Sequence, residues 1–160
     1  MTVFYCDFDS RFGRVRLVGD GAALSGLYFM GQKHEPAPGA HWIENADAAP
    51  FAQAREQFAR YERGELHAFD VPLRLEGSAF RRSVWKVLRD VPYGSTVSYG
   101  ELSRKLGMPK AARAVAGAVA HNPVTVLVPC HRVIGSDGAL TGYAGGLARK
   151  EALLALEHAL

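Results

Sequence analysis

The sequence predicts an α+β protein with a small N-terminal α/β domain over residues 1–76 and a mainly helical C-terminal domain over residues 77–160. Three observations predict this division. The first part has short alternating stretches between Gly/Asp turns, and the second has apolar residues at helical spacing. The formal charge also changes, because residues 1–75 hold 8 Lys/Arg against 10 Asp/Glu, whereas residues 76–160 hold 11 against 6. A basic half suggests a polyanionic partner, with nucleic acid as the first candidate.

Composition excludes several classes of protein. With 48% hydrophobic and 22% charged residues, the chain is ordinary globular material, long enough for one core or two small ones. No apolar run approaches the roughly 20 residues that a membrane span needs. The start of the chain lacks a basic region and is acidic by Asp7, so it does not predict a signal peptide. Cys6 and Cys130 are the only cysteines, which argues against a disulfide framework and favours a reducing cytoplasm.

The N-terminal half predicts an antiparallel meander followed by one helix. Alternating apolar stretches separated by Gly/Asp turns predict strands at residues 3–8, 14–18 and 23–29. Residues 31–46 contain two prolines and two glycines and are expected to form a loop. A helix is expected over residues 50–63, with Asp47 as its cap. The histidines of this half lack metal-ligand spacing with Cys6 and are interpreted as surface residues: His34, His41 and His67.

The C-terminal half begins with a predicted helix from Ser78 or Ala79 to Asp90. The segment that follows predicts a helix-turn-helix. Ser98 and Glu101 have the spacing of a capping box for a helix that ends at Leu106. A turn containing Gly107 and Pro109 leads to a second helix over residues 110–120.

The second helix of this motif is unusual because nearly all of its side chains are small. Lys110 and Arg113 are its only long side chains. A helix that reads base edges needs Asn, Gln or several Arg residues. The helix is either packed closely inside the protein or shaped to approach a nucleic-acid groove, and the absence of such residues favours contact that ignores base sequence.

A candidate nucleophile follows. Residues 126–128 predict a short buried strand that ends at Pro129 and presents Cys130, with His131 and Arg132 directly after it. Cationic or titratable neighbours would lower the pKa of the thiol and hold it as thiolate. A structural cysteine in an apolar run is the competing interpretation. Residues 142–146 predict a glycine-rich loop, and residues 147–160 a closing helix with an apolar leucine face and Glu157 near its end.

Residues 80–157 resemble the catalytic domain of the O6-alkylguanine-DNA alkyltransferases. The resemblance covers about half of the chain, and its most specific part is the run from Pro129 to Val133. The matching stretches are Phe80…Val84-Trp85, Val91-Pro92-Tyr93-Gly94, Ser98-Tyr99, Pro109-Lys110-Ala111-Ala112-Arg113-Ala114-Val115, Asn122-Pro123, Pro129-Cys130-His131-Arg132-Val133 and Gly142-Tyr143-Ala144-Gly145-Gly146-Leu147. The N-terminal half matches only in outline the small, ribonuclease H-like domain that the family places ahead of its catalytic domain.

The resemblance implies a function and a set of site residues. Cys130 is implied to be the alkyl acceptor in a stoichiometric, irreversible transfer from O6-alkylguanine, and also from O4-alkylthymine, in duplex DNA. His131 is implied to be the base, acting through a water, and Glu157 the carboxylate that orients it. The other implied catalytic residues are Asn122, Tyr99 and Lys150. The implied substrate pocket consists of Tyr99, Val133, Tyr143, Ala144 and Gly145, and the implied DNA contacts are Ser98, Lys110, Ala111, Ala112 and Arg113.

The resemblance also implies how DNA is engaged. The target base is rotated out of the stack and Arg113 fills its place, while the small helix enters the minor groove. The partner is therefore double-stranded DNA carrying alkylated guanine or thymine, and no membrane is involved. The protein is expected to be a monomer in the cytoplasm, associated with the nucleoid, and cooperative binding to DNA stays open.

Two residues depart from the family pattern. Ala144 stands where many relatives have serine, and Ala116 replaces a glycine. Some relatives bind a structural zinc through two cysteines and two histidines in the N-terminal domain. Only Cys6 is present there, so neither a metal nor a cofactor is expected.

Three other functions compete with alkyl transfer. A non-enzymatic protein of the same fold binds alkyl lesions without repairing them, but it has tryptophan at the acceptor position, where this chain has Cys130. A helix-turn-helix regulator would need base-reading side chains. A cysteine hydrolase would need an oxyanion hole and repeated turnover.

Overall fold

A computed structural model describes residues 2–160, which divide into two compact units. Unit 1 contains residues 2–75 together with 123–125, and unit 2 contains residues 76–122 and 126–160. The short segment 123–125 belongs to unit 1 because Leu27 and Val124 form a β-bridge. The fold is α+β, as predicted.

Unit 1 is a four-stranded sheet with one helix. The strands are β1 (Val3–Ser10), β2 (Gly13–Gly19), β3 (Leu24–Phe29) and β4 (Trp42–Glu44), in the order β3-β2-β1-β4. The predicted meander is confirmed, since β2 pairs antiparallel with both β1 and β3. Strand β4, which pairs parallel with β1, lies in the segment predicted as a loop. Its three residues are too few to show a sequence period, and its pairing is long-range.

Helix α1 (Phe51–Glu62) supplies the other side of the unit 1 core. Apolar residues at helical spacing bury one face of the helix: Phe51, Ala54, Phe58 and Tyr61. The predicted cap at Asp47 is wrong, because the N-cap residue is Pro50 and it makes no side-chain cap hydrogen bond. The Asp47 amide instead donates to the Asn45 side chain at 3.0 Å, which closes a separate turn before the helix.

Unit 2 contains four helices and a two-stranded parallel sheet. The helices are α2 (Ala79–Leu88), α3 (Tyr99–Lys105), α4 (Ala112–Ala120) and α5 (Leu147–Leu156), and β5 (Val97–Ser98) pairs with β6 (Val133–Ile134). Ser78 caps α2 by accepting the Arg81 amide at 3.1 Å. The Trp85 indole donates to the Ala118 carbonyl at 2.8 Å, which fixes α2 against α4.

The predicted helix-turn-helix is present as α3, a turn and α4. Its capping box is confirmed, because the Glu101 amide donates to the Ser98 hydroxyl at 3.1 Å and the Ser98 amide to the Glu101 carboxylate at 3.3 Å. Helix α4 begins at Ala112, two residues later than predicted. The Ala111 amide bonds to the Met108 carbonyl at 3.0 Å, so Lys110 and Ala111 belong to the turn.

Two further predictions in unit 2 are wrong. Residues 126 and 127 form a turn and Val128 makes no more than a single bridge, so no strand forms here, because Val126 has φ +74° and the Asn122 side chain donates to the Val128 carbonyl at 2.7 Å. Helix α5 ends at Leu156 rather than at residue 160. Leu147, placed on the apolar face, is half exposed at 50%.

Candidate active site

Cys130 opens a short 3-10 helical turn, Cys130–Arg132, that leads into β6. Its side chain is buried, and burial raises the pKa of the thiol to about 11, with a hydrogen bond from Asn122 and the charge of Lys150 opposing the shift. The expectation that neighbouring cations hold this residue as thiolate is therefore wrong. Desolvation outweighs them, so the thiol is protonated at neutral pH and needs a base before it can react.

His131 is placed to be that base. Its ring is fully buried, and Nε2 lies 2.7 Å from a Glu157 carboxylate oxygen. An ionised carboxylate can only accept, so Nε2 carries the proton and Nδ1 has a free lone pair. Nδ1 is buried and makes no hydrogen bond within residues 2–160. Burial lowers the pKa of the imidazole, which is therefore neutral at pH 7.

Glu157 follows the last residue of α5 and turns inward with 1% of its surface exposed. One oxygen accepts from Arg132 Nε at 2.7 Å. The other accepts from His131 Nε2 and from Arg132 Nη2, the latter at 3.1 Å. The two side chains thus form a buried two-point ion pair. The sequence indicates Glu157 through the family resemblance, but it indicates Arg132 only as a cationic neighbour of Cys130, because no periodicity marks Arg132 as buried.

Asn122 completes the surroundings of the thiol. Its side-chain amide donates to the Val128 carbonyl at 2.7 Å, and it also bonds to Cys130. The bond to Val128 closes the turn that carries Val126 in a left-handed conformation, which is costly for a β-branched residue. The turn before Cys130 is therefore held in one shape. We refer to Asn122, Cys130, His131, Arg132 and Glu157 together as the acceptor network.

Lys150 lies on α5 with no exposed surface. Its ammonium donates to the carbonyls of Val133 at 2.5 Å, Thr141 at 2.6 Å and Gly142 at 3.5 Å. Burial lowers its pKa to about 8, so the group is still mostly protonated at pH 7 and has one proton for each carbonyl. Lys150 thereby joins β6 to the start of the glycine-rich loop.

We expect Lys150→Met to lower the free energy of unfolding by about 1–3 kcal/mol, because the buried Val133 carbonyl and the part-buried carbonyls of Thr141 and Gly142 lose a charged donor. Urea denaturation followed by fluorescence measures this change. Lys33→Met is the matched control, since Lys33 is exposed on the surface of unit 1 and should leave stability within about 0.5 kcal/mol of the native value. A Lys150→Met protein as stable as the control would contradict the bracing role.

The other predicted pocket residues flank the acceptor network along the chain. Tyr99 is the first residue of α3 and is half-buried. Tyr143 and Ala144 are half-buried in the glycine-rich loop, and Gly145 is buried. The Gly145 carbonyl accepts from Arg149 at 2.9 Å, which anchors this loop to α5. Their contact with a substrate base stays a prediction.

The predicted DNA contacts differ in exposure. Lys110 and Arg113 are exposed, and Ala111 and Ala112 are half-buried. Ser98 is buried at 9% exposure and its hydroxyl already accepts the Glu101 amide, so the structure gives it a capping role. Its contact with DNA stays a prediction.

Across residues 2–160, no three His, Cys, Asp or Glu side chains are grouped so that they could hold a metal ion. The same residues contain no helix with the length and apolar character needed to span a membrane.

Comparisons with known proteins agree with this geometry. Residues 79–159 match the family model described as 6-O-methylguanine DNA methyltransferase, DNA binding domain. Over 96% of this chain and 92% of the relative, the sequence is 50% identical to a methylated-DNA–protein-cysteine methyltransferase of Mycolicibacterium paratuberculosis. A protein of the same name from Methanosarcina acetivorans is 47% identical over 97% of this chain and 98% of its own length.

A solved structure gives the same result. The chain is similar to Mycobacterium tuberculosis OGT in complex with DNA, with a TM-score of 0.90 and 46% identity, over 97% of this chain and 92% of that one. The resemblance noted from the sequence is thus confirmed over nearly the whole length. The chain belongs to the methylated-DNA–protein-cysteine methyltransferase family.

Proposed function

We propose that each molecule repairs one lesion, by moving the alkyl group from O6 of guanine, or from O4 of thymine, in duplex DNA to Sγ of Cys130. The observation that carries this proposal is the acceptor network. A buried, protonated thiol adjoins a neutral histidine, whose Nδ1 has no partner in the described chain and whose Nε2 is bonded to a carboxylate. That is the chain of nucleophile, base and orienting group that activates a weak nucleophile.

The proposed reaction is a displacement at saturated carbon. The sulfur–carbon bond forms as the carbon–oxygen bond breaks, and the electron pair of the broken bond stays on guanine. The thiol proton passes through one water to Nδ1 of His131, and the guanine anion takes a proton from solvent. Tyr99 would donate a hydrogen bond to the leaving base, while Val133 and Tyr143 to Gly145 would line its pocket. The thioether is stable, so no second transfer follows.

The lesion lies inside the duplex, so we propose that the base is flipped out. Rotating a base from the stack costs roughly a few kcal/mol. Arg113 is exposed near the start of α4 and would occupy the vacated position. The small neighbours Ala111, Ala112 and Ala114 would let the helix enter the minor groove, and Lys110 would contact phosphate. Such binding has little sequence preference, which suits a lesion found in any context.

Arg113→Ala should therefore slow repair of a duplex by about 10- to 100-fold, the rate equivalent of about 1.4 to 2.7 kcal/mol. Reaction with O6-methylguanine as a free base should change by less than about threefold, because no base has to be flipped. Single-turnover rates on both substrates test this. Arg82→Ala removes an exposed arginine from α2 and serves as the control. Equal losses on duplex and free base in Arg113→Ala would refute the flipping role.

Intact-mass spectrometry tests the overall proposal. The protein is mixed with a short duplex containing O6-methylguanine, and its mass is expected to rise by one methyl group. Peptide mapping should place that methyl on Cys130 and leave Cys6 unmodified. A folded sample that binds the duplex without any change of mass would overturn the proposal.

The organisation of the molecule forms part of the proposal. We place the boundary between an N-terminal domain and the DNA-binding, alkyl-acceptor domain at residues 76 and 77. The chain would act as a monomer in the cytoplasm, in association with the nucleoid, where its substrate is found. The net charge of +3 and the basic second half support such association.

A further inference from the structure

Arg132 is the arginine of the acceptor network, and several contacts hold its side chain. Its Nε and Nη2 donate to the two oxygens of Glu157 at 2.7 and 3.1 Å. Its Nη1 donates to the Val91 carbonyl at 2.7 Å, and its guanidinium lies 5.8 Å from the ring centre of Tyr93. Only 6% of the residue is exposed. Every nitrogen of the guanidinium has an acceptor, so the plane of the group is fixed.

This arrangement fixes the carboxylate as well. Arg132 approaches Glu157 along the edge of the carboxylate and leaves one lone pair of Oε2 for His131. An arginine is always protonated in proteins, so the buried carboxylate stays ionised whether or not the histidine is charged. The geometry therefore holds Nε2 of His131 as the proton donor and turns Nδ1 away from the ion pair.

The charge of Arg132 has a second effect. The charged or titratable groups that face His131 are Glu157, Arg132, Lys150 and Cys130. Glu157 favours the imidazolium, whereas Arg132 and Lys150 disfavour it and burial disfavours it most. Without Arg132, the buried carboxylate would have the imidazole as its main counter-charge. A charged His131 has a proton on Nδ1 and cannot accept one from Cys130.

We infer that Arg132 is a positioning residue for alkyl transfer: it fixes and neutralises Glu157, so that His131 stays neutral with Nδ1 free to accept the thiol proton. This inference rests on the proposed function. It gives Arg132 a role toward His131, the general base, rather than toward DNA. A purely structural arginine would lower the rate equally at every pH. A positioning arginine also changes the pH at which His131 becomes protonated and can no longer accept the thiol proton.

The test compares native protein, Arg132→Gln and Arg132→Lys in single-turnover methyl transfer between about pH 5.5 and pH 9. The native rate should fall on the acid side only below the ordinary histidine pKa of about 6.5. In Arg132→Gln that fall should move up by about one pH unit, a further loss that approaches about tenfold at pH 5.5 relative to pH 8.5. Arg132→Lys keeps the charge without the two-point contact and should lie between the two. Arg60→Gln, which removes a half-exposed arginine of α1, should follow the native curve.

The inference would be overturned if a folded Arg132→Gln protein lost methyl-transfer rate at the same low pH as the native protein. Should that variant not fold, ring nitrogen NMR shifts of native protein labelled at histidine decide the matter. They should show a neutral His131 at about pH 6.5 with its proton on Nε2, and an imidazolium at that pH would overturn the inference. Failure of the native protein to gain a methyl group would refute the proposed function instead, and the NMR result does not depend on it.

Discussion

Cys130→Ser is expected to abolish methyl uptake and to leave affinity for an O6-methylguanine duplex within about threefold of native, less than about 1 kcal/mol. Burial already raises the pKa of the native thiol to about 11, so His131 has to deprotonate a weakly acidic group. A serine hydroxyl holds its proton far more tightly, and oxygen is a poorer nucleophile than sulfur at saturated carbon. Intact mass after incubation with the methylated duplex measures uptake, and fluorescence anisotropy measures binding.

Cys6→Ser is the matched control for this experiment. Cys6 is the other buried cysteine, it lies in β1 of unit 1, and its sulfur is 3.3 Å from Arg55 Nη1. We expect this variant to take up one methyl group per molecule at the native rate. Methyl uptake by Cys130→Ser, or its loss in a folded Cys6→Ser protein, would contradict the assignment of Cys130 as acceptor.

Glu157→Gln is expected to have the second-largest effect, on both rate and stability. The amide cannot compensate the buried charge of Arg132, and breaking one side of such a pair costs about 3–5 kcal/mol. The amide also fails to hold the imidazolium that forms when His131 takes the thiol proton. We therefore expect a slower methyl transfer, by about 10²-fold, the lower end of what acid–base catalysis contributes. Urea denaturation and single-turnover kinetics give the two values.

Glu151→Gln provides the comparison on the same helix. Glu151 is exposed on α5, so the same chemical change should leave the rate unchanged and stability within about 0.5 kcal/mol of native. A Glu157→Gln protein that matches this control in both measurements would show that the carboxylate does not orient His131.

Local patterns in the sequence predicted most of the helices. The bounds of α1 and α2 follow from their apolar spacing, and the Ser98–Glu101 capping box marks the start of α3 because both partners are close in sequence. Strand β6 was not predicted, because two residues show no period and their pairing with β5 joins residues 36 apart. The strand predicted at 126–128 fails since a bond from Asn122 draws this apolar run into a turn.

The same holds for the candidate site: features set by neighbouring residues were predicted, and features set by residues far apart in sequence were not. The motif from Pro129 to Val133 identified Cys130 and His131 as a reactive pair. It gave the wrong direction for the thiol pKa, because sequence neighbours reveal adjacent charge but not the depth of burial. It also indicated Arg132 only as a cationic neighbour of the thiol, since its partner Glu157 is 25 residues away and its other partner, Val91, is 41 residues away.

The raised pKa of Cys130 has a consequence for molecules that have not yet met a lesion. Thiolate is the form that attacks peroxide and small electrophiles, and a thiol of pKa about 11 is ionised in about one molecule in 10⁴ at pH 7. Burial also limits the access of such reagents to the sulfur. Each molecule has one acceptor thiol, so oxidation of that thiol before it meets substrate would inactivate the molecule. Because the sulfur stays protonated until substrate binds, unreacted protein remains active for longer.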